Sequence, residues 1–225
     1  MPMNTRFNNL PPSRRLALVG LGAIVVIALA ALGQRALTQV LAPAAPAETA
    51  PEIPTAGTPV DPPRVLRDFT LTDQDGQPMR LSDLRGRLAL LFFGYTSCPD
   101  VCPTTLVDFA QVKRLLGGQA SRVAFVFISV DGARDTPAVL KRYVKHFDKD
   151  FIGMTGPEDD VRRIGADYGL YFERQPLPGS QTGYSVDHTA VAYLVDREGR
   201  MIMLYGYGTP ASVIGADLQK LLSGS

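Results

Sequence analysis

Two unbroken apolar runs mark the centre of this chain, LALLFFGY at 88–95 and VAFVFISV at 123–130. Each has strand length and neither alternates with polar residues, the pattern of a strand covered on both faces. Around them, apolar positions recur at helical spacing. Phe109, Val112 and Leu116 lead into a Gly117-Gly118 stop. Val139, Leu140, Tyr143, Val144 and Phe147 follow Thr136-Pro137, a capping threonine with proline at the first helical position. Val161, Ile164 and Tyr168 follow Pro157, and Val213, Ile214, Leu218, Leu221 and Leu222 follow Thr209-Pro210. Residues 68–84 place two short apolar pieces around an Asp-Gly turn signal, which predicts a hairpin. FIGMTG at 151–156 reads as a short strand or turn, and 189–208 as strand, turn at 197–199, and strand. Residues 173–187 show no period and read as a loop. Hairpin, β-α-β-α, a further strand and helix, then β-β-α is an α/β order. It is the thioredoxin arrangement, with an N-terminal β-hairpin and one inserted strand–helix unit.

The N-terminal pattern differs. Residues 16–33 carry no charge over 18 positions. At about 1.5 Å per residue they just span a hydrocarbon layer of roughly 30 Å. Arg6, Arg14 and Arg15 precede the run and Arg35 follows it, so the positive-inside rule leaves the rest of the chain outside the cytoplasm. A cleaved signal peptide is the alternative, but the small-residue stretch at 42–47 lies far beyond the apolar run. Residues 42–63, rich in Pro, Ala and Thr, read as an extended, disordered tether. The predicted organisation is a cytoplasmic N-terminus over 1–15, a transmembrane signal-anchor over 16–33, a tether over 34–63 and a folded domain over 64–225. This places a single-pass protein in a bacterial inner membrane with its C-terminal domain in the periplasm.

Charge and cysteine content narrow the chemistry. The whole chain has 23 basic and 22 acidic residues, and residues 1–41 hold four of the basic ones and no acid. The remainder is slightly acidic and has no basic run, which argues against nucleic acid as a partner. Two cysteines are too few for a disulfide scaffold in a domain this large. Both fall in one segment, YTSCPDVCPTTL at 95–106, between a buried strand and a helix. A helix N-terminus lowers a thiol pKa, which suits either a reactive thiol or a metal ligand. Pro103 disfavours a long helix through Cys98 and Cys102, so the pair straddles a loop and a helix start. Asp100, between them, either reaches a bound ion or tightens the turn.

Of the two histidines, His146 shares the polar face of its helix with Lys141, Arg142 and Lys145 and reads as solvated. His188 stands where a long loop enters a buried strand, and the thioredoxin arrangement brings that turn against the cysteines. Two thiols and one imidazole form a soft three-coordinate set suited to Cu(I), and to Cu(II) with a fourth ligand. A hydrogen-bonded histidine beside two ordinary thiols is the structural alternative. Asp187 points away from its neighbour along an extended segment and is expected to cap the loop rather than orient the imidazole.

At these residues the sequence resembles the Sco/SenC family of membrane-anchored copper proteins. GYTSCPDVCP at 94–103 is similar to its cysteine signature and VDHTAVAYLVDREG at 186–199 to its histidine block. ISVDGARDTPAVLKRY at 128–143 and FIGMTG resemble two further blocks, and the likeness runs from about 65 to 222. Ser97 and Gly132 depart from the family pattern, where an aromatic or histidine and a proline are frequent. The resemblance implies copper ligated by Cys98, Cys102 and His188. It also implies delivery of copper to the CuA centre of cytochrome c oxidase, or reduction of that centre's cysteines before loading. A thiol–disulfide oxidoreductase using Cys98 and Cys102 is the competing reading. A peroxidase would need an arginine that cannot be placed beside Thr96, and a zinc site with the same three ligands is chemically open.

Overall fold

The structure, a computed structural model, describes residues 57–179 and 183–224. The anchor expected over 16–33 and most of the tether lie outside the described residues. Among the described residues no helix is long and apolar enough to cross a membrane.

An eight-stranded sheet has the order β1 (Thr58–Val65), β10 (Arg200–Gly206), β9 (Val191–Val195), β4 (Leu88–Gly94), β5 (Val123–Ser129), β6 (Ile152–Thr155), β2 (Thr70–Asp73), β3 (Pro78–Arg80). Its centre is β4 (Leu88–Gly94) beside β5 (Val123–Ser129), parallel in continuous register and buried at every residue. The unbroken apolar runs therefore mark strands with no solvent face. β6 (Ile152–Thr155) continues the parallel set, and the hairpin β2 (Thr70–Asp73) and β3 (Pro78–Arg80) closes that side antiparallel. On the other side β9 (Val191–Val195) and β10 (Arg200–Gly206) run antiparallel to β4 and to each other.

Among the described residues four α-helices cover the sheet: α1 (Val101–Leu116), α2 (Pro137–Phe147), α3 (Glu158–Tyr168) and α4 (Ala211–Ser223). Alternation along β4 sends neighbouring side chains to opposite faces. Phe92 meets Phe127, which meets Tyr143 of α2, while Phe93 meets Tyr168 of α3 and Tyr193. The α2 start is the predicted one, with Thr136 Oγ1 accepting from the Val139 N–H at 3.4 Å. Gly117 ends α1 at φ +53°, a conformation that favours glycine.

Two expectations are corrected. The tether does not reach residue 63, because Thr58–Val65 form β1, antiparallel to β10. Nearly all of β1 is exposed, so it has no apolar period, and an edge strand tolerates Pro59, Pro62 and Pro63. Residues 173–187 are not simply a loop: β7 (Phe172–Pro176) and β8 (Tyr184–His188) pair as a separate two-stranded ribbon. In β7 only Phe172 is buried, so polar residues line both faces and no alternation results.

Candidate metal centre

The site lies where β4, α1 and the ribbon meet. Beyond β4 the chain turns through Tyr95, and the Cys98 N–H donates to the Tyr95 carbonyl at 3.2 Å. Cys98 stays outside α1, half-buried, whereas Cys102 occupies its first turn and is fully buried. The pair therefore straddles loop and helix as expected. Pro103 falls in the first turn, where its missing N–H leaves no bond unmade. Gly94 makes room for the inner thiol, since a Cβ there would stand 2.7 Å from Cys102 Sγ.

His188 arrives at the end of β8, opposite Phe172. Its Nε2 lies 3.5 Å from Cys102 Sγ and its Nδ1 lies 3.2 Å from the Thr189 carbonyl oxygen. A carbonyl only accepts, so that contact puts the proton on Nδ1 and leaves the Nε2 lone pair facing the sulfur. The imidazole is held edge-on by Phe92 and Tyr95, with ring centroids 5.8 and 6.0 Å away. Asp187 lies on the opposite face of β8, exposed across from Glu173. It does not cap a loop, because the segment is a strand; that it leaves the imidazole alone matches expectation. Asp100 sits at the α1 N-cap and its carbonyl accepts the Thr104 N–H at 3.1 Å, a turn-forming role. His146 is exposed.

One donor atom from each of Cys98, Cys102 and His188 lies within 4.8 Å of the others. Ligands about 2.0–2.3 Å from one ion would stand roughly 3.5–4 Å apart, so a small contraction would complete a three-ligand site. Both cysteines are free thiols. Cys98 is held well below the usual thiol range, first by the Cys102 thiol donating to it and further by the backbone N–H groups of Asp100 and Cys102. Cys102 is pushed up by that same bond, by burial and by the charge on Cys98. The metal-free pair thus holds one thiolate and one thiol. An open cleft of about 420 Å³, lined by Tyr95, Cys98, Asp100, Asp187 and His188 among others, joins the site to solvent.

Nothing in the sequence pattern marks Gly94, Phe92, Tyr95 or Asp135 as site residues. Asp135 is completely buried and accepts from the Thr96 N–H at 3.0 Å and from Thr96 Oγ1 at 2.6 Å. The signal available was an acidic residue shortly after a doubly buried strand, which carries no mark of where its carboxylate points.

A family model described as SCO1/SenC matches residues 58–223. A SCO2-like protein of Rickettsia felis is 38% identical over 135 residues, covering 60% of this chain and 66% of that protein. The chain spans 64–66% of the lengths of the four Rickettsia relatives it matches. Among solved structures, copper-bound ScoI of Bradyrhizobium japonicum is 38% identical with a TM-score of 0.64, over 69% of this chain and 98% of that one. Copper-bound yeast Sco1 is 30% identical with a TM-score of 0.65, over 72% and 91%.

Proposed function

This chain belongs to the SCO1/SenC family, and on that premise we propose that it carries copper as cargo and serves as an assembly factor for the CuA centre of cytochrome c oxidase. The observation that carries this reading is the convergence of Cys98, Cys102 and His188 donors within 4.8 Å. Two thiolates and an imidazole are soft enough for Cu(I), and Cu(II) is held when a fourth ligand enters from the cleft. The copper bound in the ScoI and yeast Sco1 structures supports the same cargo here.

Each ligand has a distinct part. The half-exposed Cys98 thiolate is the first sulfur an incoming ion meets. Cys102 then gives up its proton and becomes the second, and the Nε2 lone pair of His188 closes the set. Transfer onward proceeds by ligand exchange at the open side, to the CuA-bearing oxidase subunit. In this reading the helix expected over 16–33 holds the domain at the periplasmic face of a bacterial inner membrane.

A second reading, reduction of exported protein disulfides, is favoured by one feature. An accessible thiolate beside a buried, protonated thiol is the division of labour of an attacking and a resolving cysteine. Copper titration of the full chain in its dithiol and disulfide forms, against a chromophoric Cu(I) chelator, separates the two. The copper reading expects one Cu(I) per chain in the dithiol form and no tight binding in the disulfide form. Absence of tight binding by the dithiol form, with rapid thiol–disulfide exchange on an oxidised CuA domain, would transfer the assignment to the reductase reading.

A further inference from the structure

Two carboxylates, Asp131 and Asp135, are completely buried behind the cysteine turn, and they are balanced differently. Asp131 is paired with the Arg134 guanidinium, accepts from the Tyr184 hydroxyl at 2.8 Å and has Arg174 at 3.9 Å. The hydrogen-bond partners of Asp135 are all neutral: the Thr96 N–H, the Thr96 hydroxyl, and the Ser129 hydroxyl at 2.6 Å. Burying a carboxylate without a cation is expensive, and its pKa is raised by that burial. Asparagine has nearly the same shape and would spare the protein that penalty. What asparagine lacks is a second acceptor oxygen, and both are used here: Oδ1 takes the Thr96 hydroxyl, and Oδ2 takes the Thr96 N–H and the Ser129 hydroxyl.

The Asp135 carboxylate grips Thr96 by backbone and side chain at once. Thr96 directly follows Tyr95, the ring packed against His188, and stands two residues before Cys98.

We propose that Asp135 is a positioning residue of the metal centre: its bonds to Thr96 hold the turn that carries Tyr95 and Cys98. The effect on copper binding rests on the copper reading above; the effect on the turn does not.

The test compares the full chain with its Asp135→Asn, Thr96→Val and Thr96→Ser variants. Cu(I) affinity is read by chelator competition, and the turn is read without metal by hydrogen exchange of the Thr96 amide. Asp135→Asn removes one of two acceptor oxygens and Thr96→Val removes the hydroxyl. Each is expected to weaken Cu(I) binding about tenfold and to speed exchange of the Thr96 amide about tenfold, while Thr96→Ser, which keeps the hydroxyl, stays within about twofold of wild type on both. Wild-type copper affinity in Thr96→Val overturns the positioning role, and that arm stands even if Asp135→Asn does not fold. A Thr96→Ser protein as weak as Thr96→Val overturns the hydroxyl bond as the anchor. Failure of the unmodified chain to bind Cu(I) would sink the copper reading instead and leave the metal-free comparison intact.

Discussion

Gly94→Ala probes how closely the sheet and the inner ligand are fitted. The added Cβ would stand 2.7 Å from Cys102 Sγ, 2.9 Å from Phe127 Cε2 and 3.0 Å from Phe92 Cε1. Relaxed non-bonded contacts lie at about 3.5–4.0 Å, so the sulfur must retreat by roughly 1 Å. Neither aromatic ring gives easily, because Phe92 and Phe127 pack against each other and are only 1% exposed. Overpacking of this kind costs about 1–3 kcal/mol. At about 2–4 °C per kcal/mol for a domain of this size, the thermal midpoint should fall by roughly 2–12 °C. A ligand displaced this far should also lose roughly 10–100-fold in Cu(I) affinity, the range seen when the support of a metal ligand is removed. The control is Gly118→Ala, which meets nothing within 4 Å and does not have positive φ. The assays are a thermal melt by circular dichroism and Cu(I) competition. A Gly94→Ala protein that melts and binds like wild type would refute the close approach of Cys102 to β4.

Two further outcomes follow from buried groups. Between about pH 3 and about pH 8.5 the unfolded chain carries protons on both thiols and the native pair carries one, so unfolding takes up a proton and stability of the metal-free protein rises with pH. Above that pH the unfolded thiols ionise while Cys102 keeps its proton, and the trend reverses; Cys98→Ser should flatten the rising limb in denaturant melts from pH 5 to 8, and an unchanged slope would contradict a native Cys98 thiolate. The Tyr193 hydroxyl is buried with no hydrogen-bond partner among the described residues. Tyr193→Phe is therefore expected to leave stability unchanged or raise it by up to about 1 kcal/mol, and a loss of that size would show the hydroxyl to be bonded, for example to a buried water.

What could be read from the sequence follows from which elements lie against the core. β4 and β5 announced themselves because both faces are covered, and α2, α3 and α4 because each buries one apolar stripe. β1 and the β7–β8 ribbon did not, since β1 and β7 are largely exposed and the ribbon's few anchors, Phe172, Tyr184 and Val186, are too sparse to leave a hydrophobic period. The convergence of the two cysteines and His188 was legible for a topological reason. Once strand order places the start of β9 beside the end of β4, His188 must approach the cysteine turn. Its supports were not legible. Whether Asp135 faces solvent or Thr96, and whether Gly94 is an idle glycine or room for a sulfur, depends on packing that no local pattern encodes.

The central claim is that Cys98, Cys102 and His188 together hold copper, and X-ray absorption at the copper edge of the Cu(I)-loaded full chain addresses it directly. Two sulfur scatterers and one imidazole nitrogen are expected around a single copper, with the imidazole signal lost in His188→Ala and one sulfur lost in either cysteine variant. A first shell of His188→Ala identical to that of wild type, or a copper with fewer than two sulfurs in the unaltered chain, would contradict it.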